Sequence, residues 1–285
     1  MNRKNAFYLI GYAALFILFT FLFTLINYPS DRLTAQINSW ILPASKGSLT
    51  VGNAVIRLPF SIKMDGITLK LDQRTVDLGE AFVKPHMLGL LLGKRGADIR
   101  LENPWLESRM AIDSSGKGFK IDAPSLQVNL SSLPESIMSL PLDLNGRIDG
   151  SLDLRSENQS QGITSGELKI SSGPVEIGGD LLEALGFDSL GITSVKALAT
   201  VEDNVLTLRE NSIEGDIMAT ARGFLKINPQ NFVASRCDII VVIKPGDKYR
   251  ERLLPVLSMI DAHPKADGTV DVRIRGTIAK PSITM

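Results

Sequence analysis

Leu142-Asp143-Leu144-Asn145-Gly146-Arg147-Ile148-Asp149-Gly150-Ser151-Leu152-Asp153-Leu154-Arg155 alternates without a break. Every even position is Leu, Ile or Gly, and every odd position is polar. A period of two held this long marks a β-strand with one face toward an apolar environment and the other toward water. The same phase returns from Ile213 to Ile227, where Ile213, Gly215, Ile217, Ala219, Ala221, Gly223, Leu225 and Ile227 share a face. It returns again at Val270, Val272, Ile274, Gly276 and Ile278. Nearer the N-terminus, Ile56, Leu58, Phe60, Ile62 and Met64 read as one face of a strand. Asp65-Gly66 interrupts that face, and Ile67, Leu69 and Leu71 continue in shifted register. A one-residue slip reverses the faces, so a bulge or turn is predicted at Asp65-Gly66.

Turn signals such as Ser114-Ser115-Gly116 and Glu202-Asp203-Asn204 separate these runs. Together they predict a mainly β chain: a long, largely antiparallel sheet covered on one side, which must curl on itself because few helices are available to cover it. Eight of the seventeen aromatic residues fall between Phe7 and Tyr28, so the apolar face of the rest is built from Leu, Ile and Val, residues that suit sheets.

A few short helices are expected beside the sheet. Ser132-Leu133-Pro134-Glu135 has the form of a capping box, with Leu133, Ile137 and Leu140 on one face. Asp180-Leu181-Leu182-Glu183 repeats the device before Gly186, a C-terminal stop. The longest runs from Asp247 to Ala262, with Tyr249, Leu253, Val256, Leu257 and Ile260 as its stripe and a kink at Pro255. Ser30 to Leu42 places Leu33, Ile37, Trp40 and Ile41 at helical spacing. That helix either rests on a bilayer surface or packs on the sheet, and the short stripe leaves both open.

Ahead of it, Tyr8 to Ile26 runs nineteen residues without a charge, preceded by Arg3 and Lys4. At 1.5 Å rise per residue this spans roughly 28 Å, close to the hydrocarbon thickness of a bilayer. A cleaved signal peptide would have a shorter apolar part and a small-x-small site after it, which Asn27-Tyr28-Pro29-Ser30-Asp31 does not offer. The segment therefore reads as a single transmembrane helix. The two leading cations keep the N-terminus cytoplasmic and put residues 29–285 outside.

Chemistry-bearing patterns are scarce. Lys plus Arg equals Asp plus Glu at 31 each, so no field argues for nucleic acid. The two histidines, His86 and His263, each stand beside a proline, and no zinc pattern or paired cysteines accompany them. Cys237, the only cysteine, lies in the apolar run to Ile243 and reads as a buried small hydrophobe. Gly89-Leu90-Leu91-Leu92-Gly93-Lys94 lacks one spacer of a phosphate loop and has Arg95 where Ser or Thr would bind magnesium, which argues against a nucleotide. Asp149 and Asp153 flank no substrate cleft in this reading: Arg147 and Arg155 stand beside them on a solvated face. Asn129-Leu130-Ser131 and Asn158-Gln159-Ser160 fit the glycosylation pattern, which matters only in a eukaryotic source. No catalytic, cofactor-binding or metal-ligating residue is assigned, and neither an enzyme activity nor a cofactor is expected.

The order of features resembles the protein N family of type II secretion systems (GspN) in Gram-negative bacteria, in the variety with an AsmA-like ectodomain. The stretches that carry the resemblance are the anchor followed by Asn27-Tyr28-Pro29-Ser30-Asp31-Arg32-Leu33, then Leu90-Leu91-Leu92-Gly93-Lys94, then Leu133-Pro134 and Leu140 through Gly150. Gly166-Glu167-Leu168-Lys169-Ile170, the Ile213 to Ile227 strand pair and Gly276-Thr277-Ile278-Ala279-Lys280-Pro281 complete it. Each motif is short, and the likeness rests on their order across nearly the whole chain.

The resemblance implies a cytoplasmic tip and inner-membrane anchor at 1–28 and a periplasmic β-rich domain at 29–285, with sub-halves of about 29–130 and 131–285. It implies a non-catalytic accessory protein whose partners are other secretion components of the inner membrane and periplasm, and it carries no catalytic residues over. The AsmA-like grammar leaves a second function open, an apolar groove that holds membrane lipid. A groove wall and a core wall share one sequence pattern, so the two stay unresolved here.

Overall fold

The computed structural model describes residues 27–284 apart from 46, 58–59, 72–73, 88, 90–92, 116, 135–136, 138–141, 159–161, 185, 229–233, 247–248, 250–264, 266–267 and 279; before these it describes only 15, 16, 20 and 23. The alternating runs become strands, and the chain packs as two compact units, residues 1–85 and 86–285.

The first unit holds helix α1 (Ser30–Ala44) and strands β1 (Leu49–Arg57), β2 (Ser61–Leu71) and β3 (Arg74–Pro85), paired antiparallel in sequence order. The apolar face read as a single strand from Ile56 to Met64 is instead shared by two strands. The chain reverses between Arg57 and Ser61, and Ile56 lies opposite Ile62. Partners in register share a face, so the alternation survives the turn and the period alone hides it. The irregularity at Asp65-Gly66 is present. The β2–β3 register shifts between Met64 and Ile67, and Gly66 takes a φ of 64° that glycine adopts without a Cβ penalty.

Helix α1 packs on β1. Ile37 is buried with Val51, Ala54, Ile67, Val76 and Ala81, a small dry core, while Trp40 stays 66% exposed. Of the two placements open from the sequence, packing on the sheet is the one found.

The second unit is an antiparallel sheet in sequence order: β4 (Arg95–Glu102), β5 (Leu106–Ser115), β6 (Gly118–Asn129), β7 (Asp143–Ser156), β8 (Ser165–Gly178), β9 (Leu190–Glu202), β10 (Val205–Gly215), β11 (Ile217–Lys226), β12 (Arg236–Pro245), β13 (Val270–Thr277) and β14 (Lys280–Thr284). The deciding stretch is β7, one strand of 14 residues. Along β11 exposure alternates at every position, Ile217, Ala219, Ala221, Gly223 and Leu225 inward of Met218, Thr220, Arg222, Phe224 and Lys226. At Asp203 and Asn204, φ values of 48° and 64° make the two-residue turn that joins β9 to β10, the twist-matching form that short polar residues tolerate.

The helices fare less evenly. Helix α2 (Asp180–Ala184) forms as expected. Gly186, at φ 81°, ends it, with Gly186 N–H donating to Glu183 O and Phe187 N–H to Leu182 O. The capping box at Ser132 does not open a helix. Ser132 instead closes a 3₁₀ turn, η1 (Leu130–Ser132), which the Asn129 side chain caps by accepting from Ser131 N–H. Leu133 and Pro134 are not helical, Ile137 lies in a turn, and Leu140 is outside the described residues. Pro134 disfavours the α conformation for the residue before it, and Leu133 is accordingly extended, at φ −61° and ψ 129°. Of the Asp247–Ala262 stretch only Tyr249 is described, and it is helical.

Most of the Tyr8–Ile26 segment lies outside the described residues. Leu15, Phe16, Thr20 and Phe23 within it are helical and exposed. Among the described residues no helix is long and apolar enough to cross a membrane.

Candidate functional site

Register converts the alternation of single strands into rows that run across the second unit. Ala123 lies opposite Leu152, and the row continues through Leu168, Ala199, Leu208, Gly223, Ile239 and Ile274 to Ile283. A second row passes Val128, Ile148, Ser172, Val195, Ile213, Ala219, Ile243 and Val270. These rows make one continuous apolar face.

Its burial is unusual for a core wall. Ala123, Ala199 and Val270 are buried, but Leu152, Leu168, Leu208, Ile239 and Ile274 are only half-buried. Full burial of a Leu or Ile side chain is worth about 1.5 to 3 kcal/mol. A face that leaves its larger side chains half-exposed has part of that free energy still to gain from whatever covers it. Cys237 belongs to this face and is half-buried, where the sequence suggested a buried thiol.

One end of the face is plugged. Phe187, 2% exposed, packs with Leu182, Leu190 and Tyr249, and Leu142, Ile177 and Ile217 close around them. The rings of Phe187 and Tyr249 have centroids 5.7 Å apart at 47°, the tilted contact that aromatic quadrupoles favour. Asp216, in the turn between β10 and β11, secures this end. Its N–H donates to Gly191 O, its carbonyl accepts from Gly246 N–H, and its Oδ2 accepts from Gly191 N–H at 2.7 Å. Nothing in the one-dimensional pattern distinguishes Asp216 from any other turn aspartate.

Glycines on the apolar face are structural. Gly215 and Gly223 take φ of 153° and 142°. A Cβ at Gly215 would strike the Gly191 carbonyl, and one at Gly223 would strike the Asp238 carbonyl. They let neighbouring strands approach, and they do not widen the face for a ligand.

The opposite face is charged and internally neutralised. Arg147 donates to Asp149 at 2.9 Å and Arg155 to Asp153 at 3.1 Å, as expected from their positions. The Arg155 guanidinium, with Lys120 beyond it, holds the Asp153 carboxyl below its usual range. Arg273 and then Arg275 do the same for Asp238. Neither Asp153 nor Asp238 has the raised pKa of a general acid.

His86 sits between two carboxylates of the second unit, Nε2 at 3.0 Å from Asp98 and Nδ1 at 3.4 Å from Asp113. Asp98 raises its pKa above the ordinary value, and Asp113 adds to the effect. Its two nitrogens address separate partners, and among the described residues no three His, Cys, Asp or Glu side chains could hold a metal ion. His263 lies outside the described residues. In the glycine-leucine loop, Lys94 N–H donates to Gly89 O, so that amide is turned inward to its own loop.

The charged face also carries a hollow of about 790 Å³ that pairs Trp105 with Asn103, Gln127 and Asn145. The sequence offered no motif for it, because its residues come from the turn between β4 and β5, from η1 and from strands β5 to β8, which the sheet brings together.

Compared with known proteins, the chain matches no family model, no curated protein and no solved structure.

Proposed function

We propose that this chain is a non-catalytic accessory component of a type II protein secretion system, anchored in the inner membrane by residues 8–26 with residues 29–285 in the periplasm. The order of motifs along nearly the whole chain supports that reading. The observation that carries the non-catalytic part is the division of labour between the faces. Carboxylates that sequence spacing singled out are held by arginines, whereas the other face is a continuous, half-exposed apolar surface. Such a surface contributes binding energy and geometry, not bond chemistry.

Deleting the gene is expected to lower export of type II substrates in a graded way while leaving outer-membrane lipid composition and detergent sensitivity unchanged. A phosphatase fused after Met285 is expected to be active, and the mature protein to retain Met1 through Ile26 by intact mass. Normal export in the deletion strain would overturn the reading.

One observation favours a second reading, in which the apolar face holds lipid acyl chains: its Leu and Ile side chains are half-buried where a closed core would bury them. Phospholipid would then copurify with the protein in native mass spectra. Ala221→Trp, on this face between Gly223 and Ala219, would displace it without encountering the backbone clash that bars Gly215 and Gly223.

A further inference from the structure

We infer that the hollow beside Trp105 is a binding site for a neutral, polyhydroxylated ligand of the oligosaccharide class, an assignment that goes beyond the secretion reading and does not depend on it. Its chemistry is set by which side-chain atoms are already committed. Asn103 Oδ1 accepts from the backbone N–H groups of Trp105, at 2.9 Å, and of Leu106. This fixes the amide and, with it, the β4–β5 turn that carries Trp105. Asn145 Oδ1 accepts from Ser131 Oγ at 2.8 Å, which turns its own Nδ2 outward. Gln127, between them on β6, makes no side-chain hydrogen bond among the described residues and offers both a donor and an acceptor.

The charges argue against an ion. Glu107 lies 3.7 Å from Arg109 and 3.9 Å from Arg100, and Asp149 is bonded to Arg147. Each carboxylate at the hollow therefore has a guanidinium beside it, and no excess of either sign remains to attract a phosphate or a cation. Hydroxyl groups, which donate and accept at once, match amide donors and acceptors of this kind. Trp105 adds an apolar plane for the C–H face of a sugar ring.

The topology argues against a peptide. Strands β5, β6, β7 and β8 at the hollow are paired on both sides, so no edge is free for strand addition. Size argues for more than one sugar ring. At about 790 Å³ the hollow falls in the range of sites that take ligands larger than a single ring.

The test uses the full chain with Trp40→Phe, which leaves Trp105 as the only tryptophan, titrated with chitotriose and with maltotriose. A saturable change in Trp105 emission with either trisaccharide is expected. Gln127→Ala and Asn145→Ala should each weaken it about three- to tenfold, the worth of a hydrogen bond, with the Gln127→Ala melting temperature unchanged. Three results would overturn the assignment: no change with either sugar up to roughly 10 mM, weaker than useful recognition; equal affinity in both variants; or displacement of the sugar by an extended peptide or a polyanion at comparable concentration.

Discussion

The Asn38 side chain bonds to the Val51 backbone as a neighbouring strand would. Its Nδ2 donates to Val51 O at 2.8 Å and its Oδ1 accepts from Val51 N–H at 2.9 Å. Thr34 Oγ1, one turn earlier on α1, accepts from Ala54 N–H at 2.8 Å. Helix α1 thereby blunts the outer edge of β1, which would otherwise be a template for pairing with another chain. Asn38→Leu keeps the size and removes both bonds, leaving Val51 unsatisfied. It should destabilise the first unit by about 1 to 3 kcal/mol, whereas Trp40→Ser, at an exposed position, should cost about 0.5 kcal/mol or less. Chemical denaturation of the two variants checks the difference, and equal midpoints would mean that the edge is not held by this helix.

Depth on the apolar face can be read by a carboxylate scan. Val201 is 2% exposed, while Ile148 on the same face is half-buried. Val201→Asp should cost about 3 to 5 kcal/mol, because the new charge has no partner and no water. Ile148→Asp should cost about 1 kcal/mol, since its carboxylate can reach solvent. A closed, dry sheet would give both the larger value.

His86 makes the second unit sensitive to pH in a defined direction. Its folded pKa is raised by Asp98 and Asp113 above the unfolded value, which lies near 6.5. A raised pKa means that the folded state binds the proton more tightly, so the contribution is complete below about pH 6.5 and is lost as pH rises through the folded pKa. The imidazole resonances of His86 should titrate above those of a free histidine. In His86→Gln the stability decline from neutral to mildly alkaline pH should flatten, and an unchanged slope would count against the pairing.

Gly223 separates close approach from mere alternation. Gly223→Ala places a Cβ against the Asp238 carbonyl and 2.7 Å from Ile239 Cα, at a φ that other residues avoid. The expected loss is about 1 to 3 kcal/mol. Gly178→Ala, whose nearest neighbour would lie 3.9 Å away at an ordinary φ, should be neutral or stabilise by up to about 1 kcal/mol. Thermal melts of the pair should be lowered for Gly223→Ala alone.

Much of the second unit was legible because its signals are local. The alternation from Leu142 to Arg155, the Asp203-Asn204 turn and the stop at Gly186 depend on side-chain sidedness and on backbone conformations that those residues reach without neighbours. The reversal between Arg57 and Ser61 was missed for the same reason that the strands were found. Two arms in register continue one alternation, so the period alone does not show where the chain turns back.

Local pattern thus determined a mainly β chain of antiparallel strands, each with one apolar and one polar face, together with the charge-balanced partners Arg147–Asp149 and Arg155–Asp153 on the polar side. Tertiary structure decided what those faces meet. Periodicity reports which way a side chain points, but burial depends on whether another element arrives to cover it, and that is settled by residues far away in the chain. So only the folded protein distinguishes the buried Val201 from the half-exposed Ile148, sets Asn38 against the edge of β1, and brings Asn103, Gln127 and Asn145 to one hollow through the register of strands that no short motif records.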